Sequence, residues 1–449
     1  MKKIRLMRPL GRIAIPRFTR DKFRLLLVSL LFAVFVGGCV RKAKEPIADG
    51  VKFLTIWQTY NNEEHDVFLK VVSEYEKNNQ GVKIKVQRIP WDQHVTKIKV
   101  AMITHTVPDI ARVDPAFLPR LVRSRSVIDL SDYGADRIIG DLVPAAAQAN
   151  VFPESFFVHG STSSRKRIFG LPDQTTGVAL FYNKKLFADA GFARGPATWE
   201  EFVKYAKALT RDLDGDGRAD QFGFAADLSL WFTFPFFNTY GVKFISDDGK
   251  TCLLDSLAAR EALQLKVDLY ARHKVEAGAW QAGAISPDTG FINRKYAMIF
   301  TGPWNLKRFK DAGIPFGVSL IPRGPAGSST NVGGSSMVVF RTSRHPDEAY
   351  KFLMYLVSPA TQKKWAEALS QIPVNIKAYP MVNVSALPEL KIFMEQMKTA
   401  VPRPKVLDYD ELESIMNAEM YTALSGQKTV ERSLKDAVEE INKRVLNLE

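Results

Sequence analysis

From Val51 onward the apolar positions switch between two periods. Val51–Trp57 is a strand-like run, Asn61–Lys77 places Val67, Phe68, Val71, Val72 and Tyr75 on one helical face, and Val82, Ile84 and Val86 alternate with Lys83, Lys85 and Gln87. A period of two, then one near 3.6, then two again predicts a β-α-β unit, the start of a parallel sheet covered by helices. Val178–Tyr182 is a short continuous apolar run of the kind that makes a buried strand, ended by Asn183 and two lysines. Thr198-Trp199-Glu200-Glu201 then opens a helix as a capping box, with Phe202, Tyr205, Ala206 and Leu209 on one face. The whole stretch from Ile168 to Phe202 therefore suggests a hinge between two lobes. Gly317–Pro322 is a buried strand running into the Gly- and Ser-rich segment 324–336, and Asp347–Val357 is helical with Ala349, Phe352, Leu353 and Leu356 on its apolar face. Leu434, Val438, Ile441 and Val445 mark an amphipathic closing helix.

The first 38 residues obey a different rule. Nine Lys or Arg and one acid in residues 1–24 precede the apolar run Leu25–Val36, which is too short to span a bilayer comfortably and has the layout of a secretory signal peptide. It ends in Val36-Gly37-Gly38-Cys39, a lipobox pattern that predicts acylation of Cys39 and a membrane-anchored envelope protein; Val40 is not the Asp linked to inner-membrane retention. Residues 39–50, charged and containing Pro46 and Gly50, form the expected flexible tether. Without residues 1–38 the net charge falls from +14 to +6, and the remaining cations are scattered, so no nucleic-acid partner is expected. Cys252 is then the one unmodified thiol, which excludes an intrachain disulfide and points to a buried position.

Candidate chemistry is set by where strands end. In open α/β sheets ligands sit outside the carboxyl ends of strands, which selects Trp57, Thr59 and Asn61 after the first strand and Asp114 after a strand near Ile110. Leu230–Phe237 is the densest aromatic patch, and Trp231 is its largest flat ring. Asp212, Asp214, Asp216, Arg218 (through its carbonyl) and Asp220, with Gly217 at the sixth position, have the oxygen spacing of a calcium loop. The bidentate Glu at position twelve is replaced by Gly223, so any bound calcium would be structural and no cofactor is required. There is no Gly-x-Ser-x-Gly elbow, phosphate loop or His-Glu-x-x-His, and the six histidines are far apart.

Four pieces in register carry a resemblance: Gly170-Leu171-Pro172, a strand ending in Tyr182-Asn183-Lys184, Ala190-Gly191, and Pro196-Ala197-Thr198-Trp199-Glu200-Glu201-Phe202. Together they resemble the carbohydrate-binding family of bacterial extracellular solute-binding proteins, the maltose-binding type. Phe291–Trp304 resembles a second signature of that family, with Arg294 where a glycine usually stands. The resemblance implies a two-lobed, type II periplasmic-binding-protein-like α/β fold with discontinuous lobes, 51–173 plus 322–344 and 174–321 plus 345–449, joined by hinge crossings around a ligand cleft. It also implies that Asp114 accepts hydrogen bonds from sugar hydroxyls, that Trp231 and Trp304 stack on the sugar, and that Gln174 and Thr176 bond as neutral groups. The expected function is capture of an oligosaccharide and delivery to the transmembrane subunits of an ABC-type permease, by a monomer that catalyses nothing. Alternatives are the same fold with a phosphorylated polyol, metal or peptide ligand, a sugar-presenting sensor lipoprotein, or a glycoside-acting enzyme.

Overall fold

The computed structural model describes residues 50–447; the signal segment, Cys39 and the tether up to residue 49 lie outside the described residues. Strands β1 (Lys52–Gln58), β2 (Val82–Arg88), β3 (Ile110–Val113), β4 (Leu171–Thr176), β5 (Ala179–Asn183), β6 (Phe222–Ala225), β7 (Tyr296–Thr301), β8 (Phe316–Ser319), β9 (Asn331–Val339) and β10 (Val401–Pro402) build two sheets. The first runs β10-β9-β3-β1-β2, with β4 also on β9, and the second runs β8-β5-β7-β6. A separate hairpin pairs Val151–Pro153 with Lys166–Ile168. β1 and β2 are parallel in register from Lys52↔Val82 to Gln58↔Arg88, joined by the helix Asn62–Asn78 as the alternating periods predict.

The pleat divides the first sheet's side chains between two cores. Leu54 and Ile56 pack with Phe68, Phe352 and Trp365 on one face, while Val113 and Val338 pack with Ile98, Leu121 and Val122 on the other. The second sheet is likewise covered on both faces, by Phe202, Phe224 and Phe300 on one side and Phe181, Phe309 and Phe393 on the other. A fifth core, containing Leu230, Phe237, Leu263, Met416 and Leu434, binds the aromatic helix Leu230–Thr239 to the C-terminal helices. Cys252 is buried there as a free thiol, and burial pushes it up to about 11, so it stays protonated and unreactive.

The chain crosses between sheets twice, from β4 to β5 and from β8 to β9, and makes a third crossing from β10 to the helix Tyr409–Leu424, which packs with the aromatic helix Leu230–Thr239. This changes the lobe limits expected from motifs. Gln174 to Thr176 pair with β9 and stay in the first sheet, whereas Arg323 still bridges Thr198 on the second side. The helices Pro346–Leu356 and Pro359–Leu369, expected with the second lobe, pack on the first sheet through Ala349, Phe352, Leu353 and Trp365. Their apolar faces leave β9 and fold straight back onto the sheet they came from.

Arg294 adopts a backbone conformation that favours glycine. It sits at φ 60, in the left-handed region, inside the turn where Lys295 N bonds Gly290 O at 2.8 Å, with its side chain in solvent. A non-glycine residue there costs roughly 1–2 kcal/mol, against the ~0.5–1 kcal/mol of chain entropy that a glycine loses on folding. Arg294→Gly is therefore expected to stabilise the protein by about 0.5–1 kcal/mol in urea unfolding; a destabilised variant would show that the Arg side chain makes a compensating contact. Among the described residues no helix is long and apolar enough to cross a membrane.

Candidate ligand site

The carboxyl ends of β1, β2 and β3 open onto a cavity of about 630 Å³ closed from the other side by residues that come after β7 or lie in helices beyond the crossings. Its volume is that of a typical small-molecule site. The first sheet contributes Thr59, Asn61, Glu64, Trp91, Arg112, Asp114, Gln174, Thr176, Gly333 and Gly334, and the opposite wall Trp231, Trp304, Arg403 and Glu413. A second chamber of about 380 Å³ shares Trp91, Asp114, Arg403 and Glu413, so the cleft is longer than one compact ligand.

Of the eight contacts expected from sequence, Thr59, Asn61, Asp114, Gln174, Thr176, Trp231 and Trp304 are brought together here. Trp57 is not. It is still inside β1, on the face that packs against Ile98 and Val113, with the Lys97 ammonium 4.8 Å from its ring. Only past Gln58 does the chain leave the strand and turn residues toward the cleft. Trp280 does not reach the cavity and is core: it is buried, and its indole N–H donates to Glu276 at 3.1 Å.

Beneath the cavity lies a buried polar network that the sequence did not announce. Arg112 is 4 % exposed; its Nε donates to Asp173 at 2.9 Å, its Nη1 to Thr59 Oγ1 at 2.5 Å and its Nη2 to Gln174 Oε1. Burial works against the guanidinium, but Asp173 outweighs it and holds the group firmly charged. The Tyr60 hydroxyl donates to the same Asp173 oxygen at 2.6 Å, and burial pushes that phenol well above its ordinary range. Gln174 Nε2 donates to Glu64 Oε1 at 2.9 Å and to Gln371 Oε1 at 2.6 Å, while Gln371 donates to the same Glu64 oxygen at 2.6 Å. Both donors of Gln174 are thus used by the protein, and Gln174 acts mainly to hold the floor together. Asn61 caps the helix at Asn62 in a reciprocal capping box with Glu64, which fixes the Glu64 carboxylate at the cavity edge.

The groups still free to bond a ligand are mostly acceptors. Glu64 and Asp114 keep unused lone pairs, although Asp114 also pairs with Arg403 and caps Ala116 N at 2.8 Å. Glu413 has no ion-pair partner among the described residues, and burial pushes its carboxyl up. The Thr176 hydroxyl is buried without a protein partner. Two glycines bring the floor close: a Cβ on Gly333 would lie 2.3 Å from the Trp231 ring, and Gly334, at φ +105, would place one 2.0 Å from Gln174 O. The Arg403 guanidinium stands 5.7 Å from the Trp231 ring on the same wall.

Residues 61–363 match the family model described as bacterial extracellular solute-binding protein, about two thirds of the chain. The chain belongs to that family. This solute-binding protein is 24% identical over 378 residues to a binding protein of Brucella abortus, covering 82% of this chain and 87% of the relative. It is 23% identical to the maltodextrin-binding protein MdxE of Bacillus subtilis, covering 94% and 97% of the two chains. Among solved structures, the sugar-binding protein MalE of Xanthomonas citri superimposes with a TM-score of 0.77 at 21% identity, covering 87% of this chain and 97% of its own. The cyclic α-maltosyl-1,6-maltose binding protein of Arthrobacter globiformis gives 0.76 at 24%, with 88% and 99% covered. At these identities the structures establish the shared two-lobed fold.

The aspartate loop folds back on itself. Asp212 accepts from Gly215 N at 2.7 Å and Gly217 N at 2.8 Å, and Asp220 accepts from Leu213 N at 2.8 Å. Carboxylate oxygens of Asp212, Asp214 and Asp216 nevertheless lie within 4.8 Å of one another, all exposed.

Proposed function

We propose that the protein captures a neutral oligosaccharide in this cleft and delivers it to the transmembrane subunits of an ABC-type permease. The observation that carries the reading is the match of indole faces to acceptor groups: Trp91, Trp231 and Trp304 line a cavity whose unspent polar atoms belong to Glu64, Asp114, Glu413 and Thr176. Sugars present C–H faces for the rings and hydroxyl donors for the carboxylates. Phosphorylated polyols meet the opposite electrostatics, since Arg112 and Arg403 are already paired with Asp173 and Asp114. The names of the relatives point the same way. Lobe closure about the three crossings traps the sugar, with Thr59, Asn61, Asp114, Thr176, Trp231 and Trp304 as direct contacts. The protein works as a monomer, held to the cell envelope by lipid on Cys39, and changes no bond in its ligand. Asp212, Asp214 and Asp216 are the residues that would hold a calcium ion, as a brace for the surface loop.

A thermal-shift screen of the mature chain tests this, using neutral oligosaccharides, amino acids, glycerol phosphates and ferric citrate, each with and without calcium. A ligand of the native state adds about 2.7 kcal/mol of stability at a hundredfold excess over its Kd. The expected result is a shift with one class of neutral oligosaccharide, recovered unchanged after incubation. A shift confined to a charged solute would overturn the substrate class, and a hydrolysed saccharide would overturn the non-catalytic reading.

A further inference from the structure

The edge of the first sheet opposite the cleft carries a surface that ligand capture does not use. Parallel pairing puts the starts of β1 and β2 on that edge; β3 begins further along, beside Ile56, where the antiparallel β9 ends with Val339 against Ile110 before its chain continues through Phe340 and Arg341. The helices His94–Ile103 and Leu118–Arg123 both end there, the first just before β3 and the second just before Val127 bridges Phe340. Phe53, Val100 and Ile103 are exposed at this edge, Ile103 by 79 %.

Four exposed arginines stand at or just after the ends of Leu118–Arg123 and β9. Arg123, Arg125, Arg341 and Arg344 form no salt bridge among the described residues, and the first three reach only backbone carbonyls, of Phe156 at 2.8 Å, Phe157 at 3.4 Å and Arg125 at 2.9 Å. Of the nearby carboxylates, Glu76 and Glu348 are paired with Lys83 and Lys52, while Asp109, bonded to Thr55 and Ser343, and Asp347 keep their charge, two against the four arginines. Apolar side chains at the rim of a cationic patch are the makeup of an interfacial membrane surface. The covalent path adds a second argument, because the segment from Cys39 enters the fold at Lys52 on this same edge. Thirteen residues reach at most about 45 Å fully extended, so the point where the chain enters the fold lies within that distance of an acylated Cys39.

We propose that this edge docks on the anionic phospholipid surface of the membrane that holds Cys39, an inference resting on the lipid anchor and independent of the sugar reading. Docked this way, the cleft mouth lies on the far side of the first sheet and faces solution, a pose suited to capture. The test is co-sedimentation of the unacylated chain from Val40 on with phosphatidylcholine vesicles, with or without about one third phosphatidylglycerol. Binding is expected to be about tenfold stronger with the anionic lipid, to fall away near 0.5 M salt, and to be lost in Arg123→Gln/Arg125→Gln/Arg344→Gln and reduced in Ile103→Asp. A variant with the same charge change at Lys204, Arg272 and Lys307, exposed on the other lobe, should bind as the parent does. Equal binding to both vesicles, full binding by the edge variants, or equal loss in the remote variant would overturn the proposal. Unchanged melting and saccharide response in every variant keeps the result separate from folding and from the ligand reading.

Discussion

Arg112→Met is expected to destabilise the protein by about 3–5 kcal/mol, the range for breaking a buried ion pair by removing one partner. Arg112 sits at the centre of the floor, bonded to Asp173, Thr59 and Gln174 at once, with its guanidinium 4.2 Å from the Tyr60 ring. The loss exposes nothing new to water. It strands Asp173, whose carboxylate is buried and whose Oδ1 has no partner in the parent. Two-state urea unfolding measures the effect, and Asp173→Asn in the same background separates causes. If the cost is the unpaired carboxylate, the double variant recovers part of the loss, because coupled partners are not additive. A single variant within 1 kcal/mol of the parent would mean that the floor tolerates an empty guanidinium site, and the network could not be what positions Thr59 and Gln174. Ligand response should fall along with stability, since both residues face the cavity.

The fold was legible wherever its logic is local. Period changes located the β-α-β unit, turn and cap residues located the first crossing, and the carboxyl-end rule located Thr59, Asn61 and Asp114. Trp57 was misplaced because that rule selects residues beyond a strand's last pair, and Trp57 is one residue short of the end of β1. Arg112 was invisible for a related reason: it lies inside the four-residue strand Ile110–Val113, where alternation says only that it is buried. Glu64 is by position an ordinary first-turn acid of its helix; its second task depends on Gln174 and Gln371, 110 and 307 residues away. Arg403 and Glu413 belong to the third crossing, whose strand is two residues long and has no motif. The pairing of Asp114 with Arg403 spans 289 residues, so no spacing could reveal it. The lobe assignment of Pro346–Leu369 failed similarly, since amphipathicity shows that a helix has an apolar face but not which sheet that face covers.

The effect on binding should be largest at Trp231. Its ring is held between the backbone of Gly333, where no Cβ fits, and the guanidinium of Arg403, so it meets a ligand already oriented. One indole face against a sugar removes roughly 100 Å² of apolar surface from water, worth about 2–3 kcal/mol at ~25 cal/mol per Å². Trp231→Ala should therefore weaken saccharide binding by roughly 30- to 150-fold in calorimetry, at about 1.4 kcal/mol per factor of ten. Trp304, 46 % exposed on the single turn Pro303–Asn305, has more freedom and should cost less. Gly333→Val is the companion test, because it keeps the indole in the chain while the new side chain pushes on the ring from the cavity floor. If Trp231 acts through preorganised stacking, displacing the ring by the new side chain reproduces most of the alanine loss. Should Gly333→Val bind as the parent does while Trp231→Ala fails, the indole contributes contact area from more than one orientation, and the close approach of the glycine serves packing of β9 rather than the ligand.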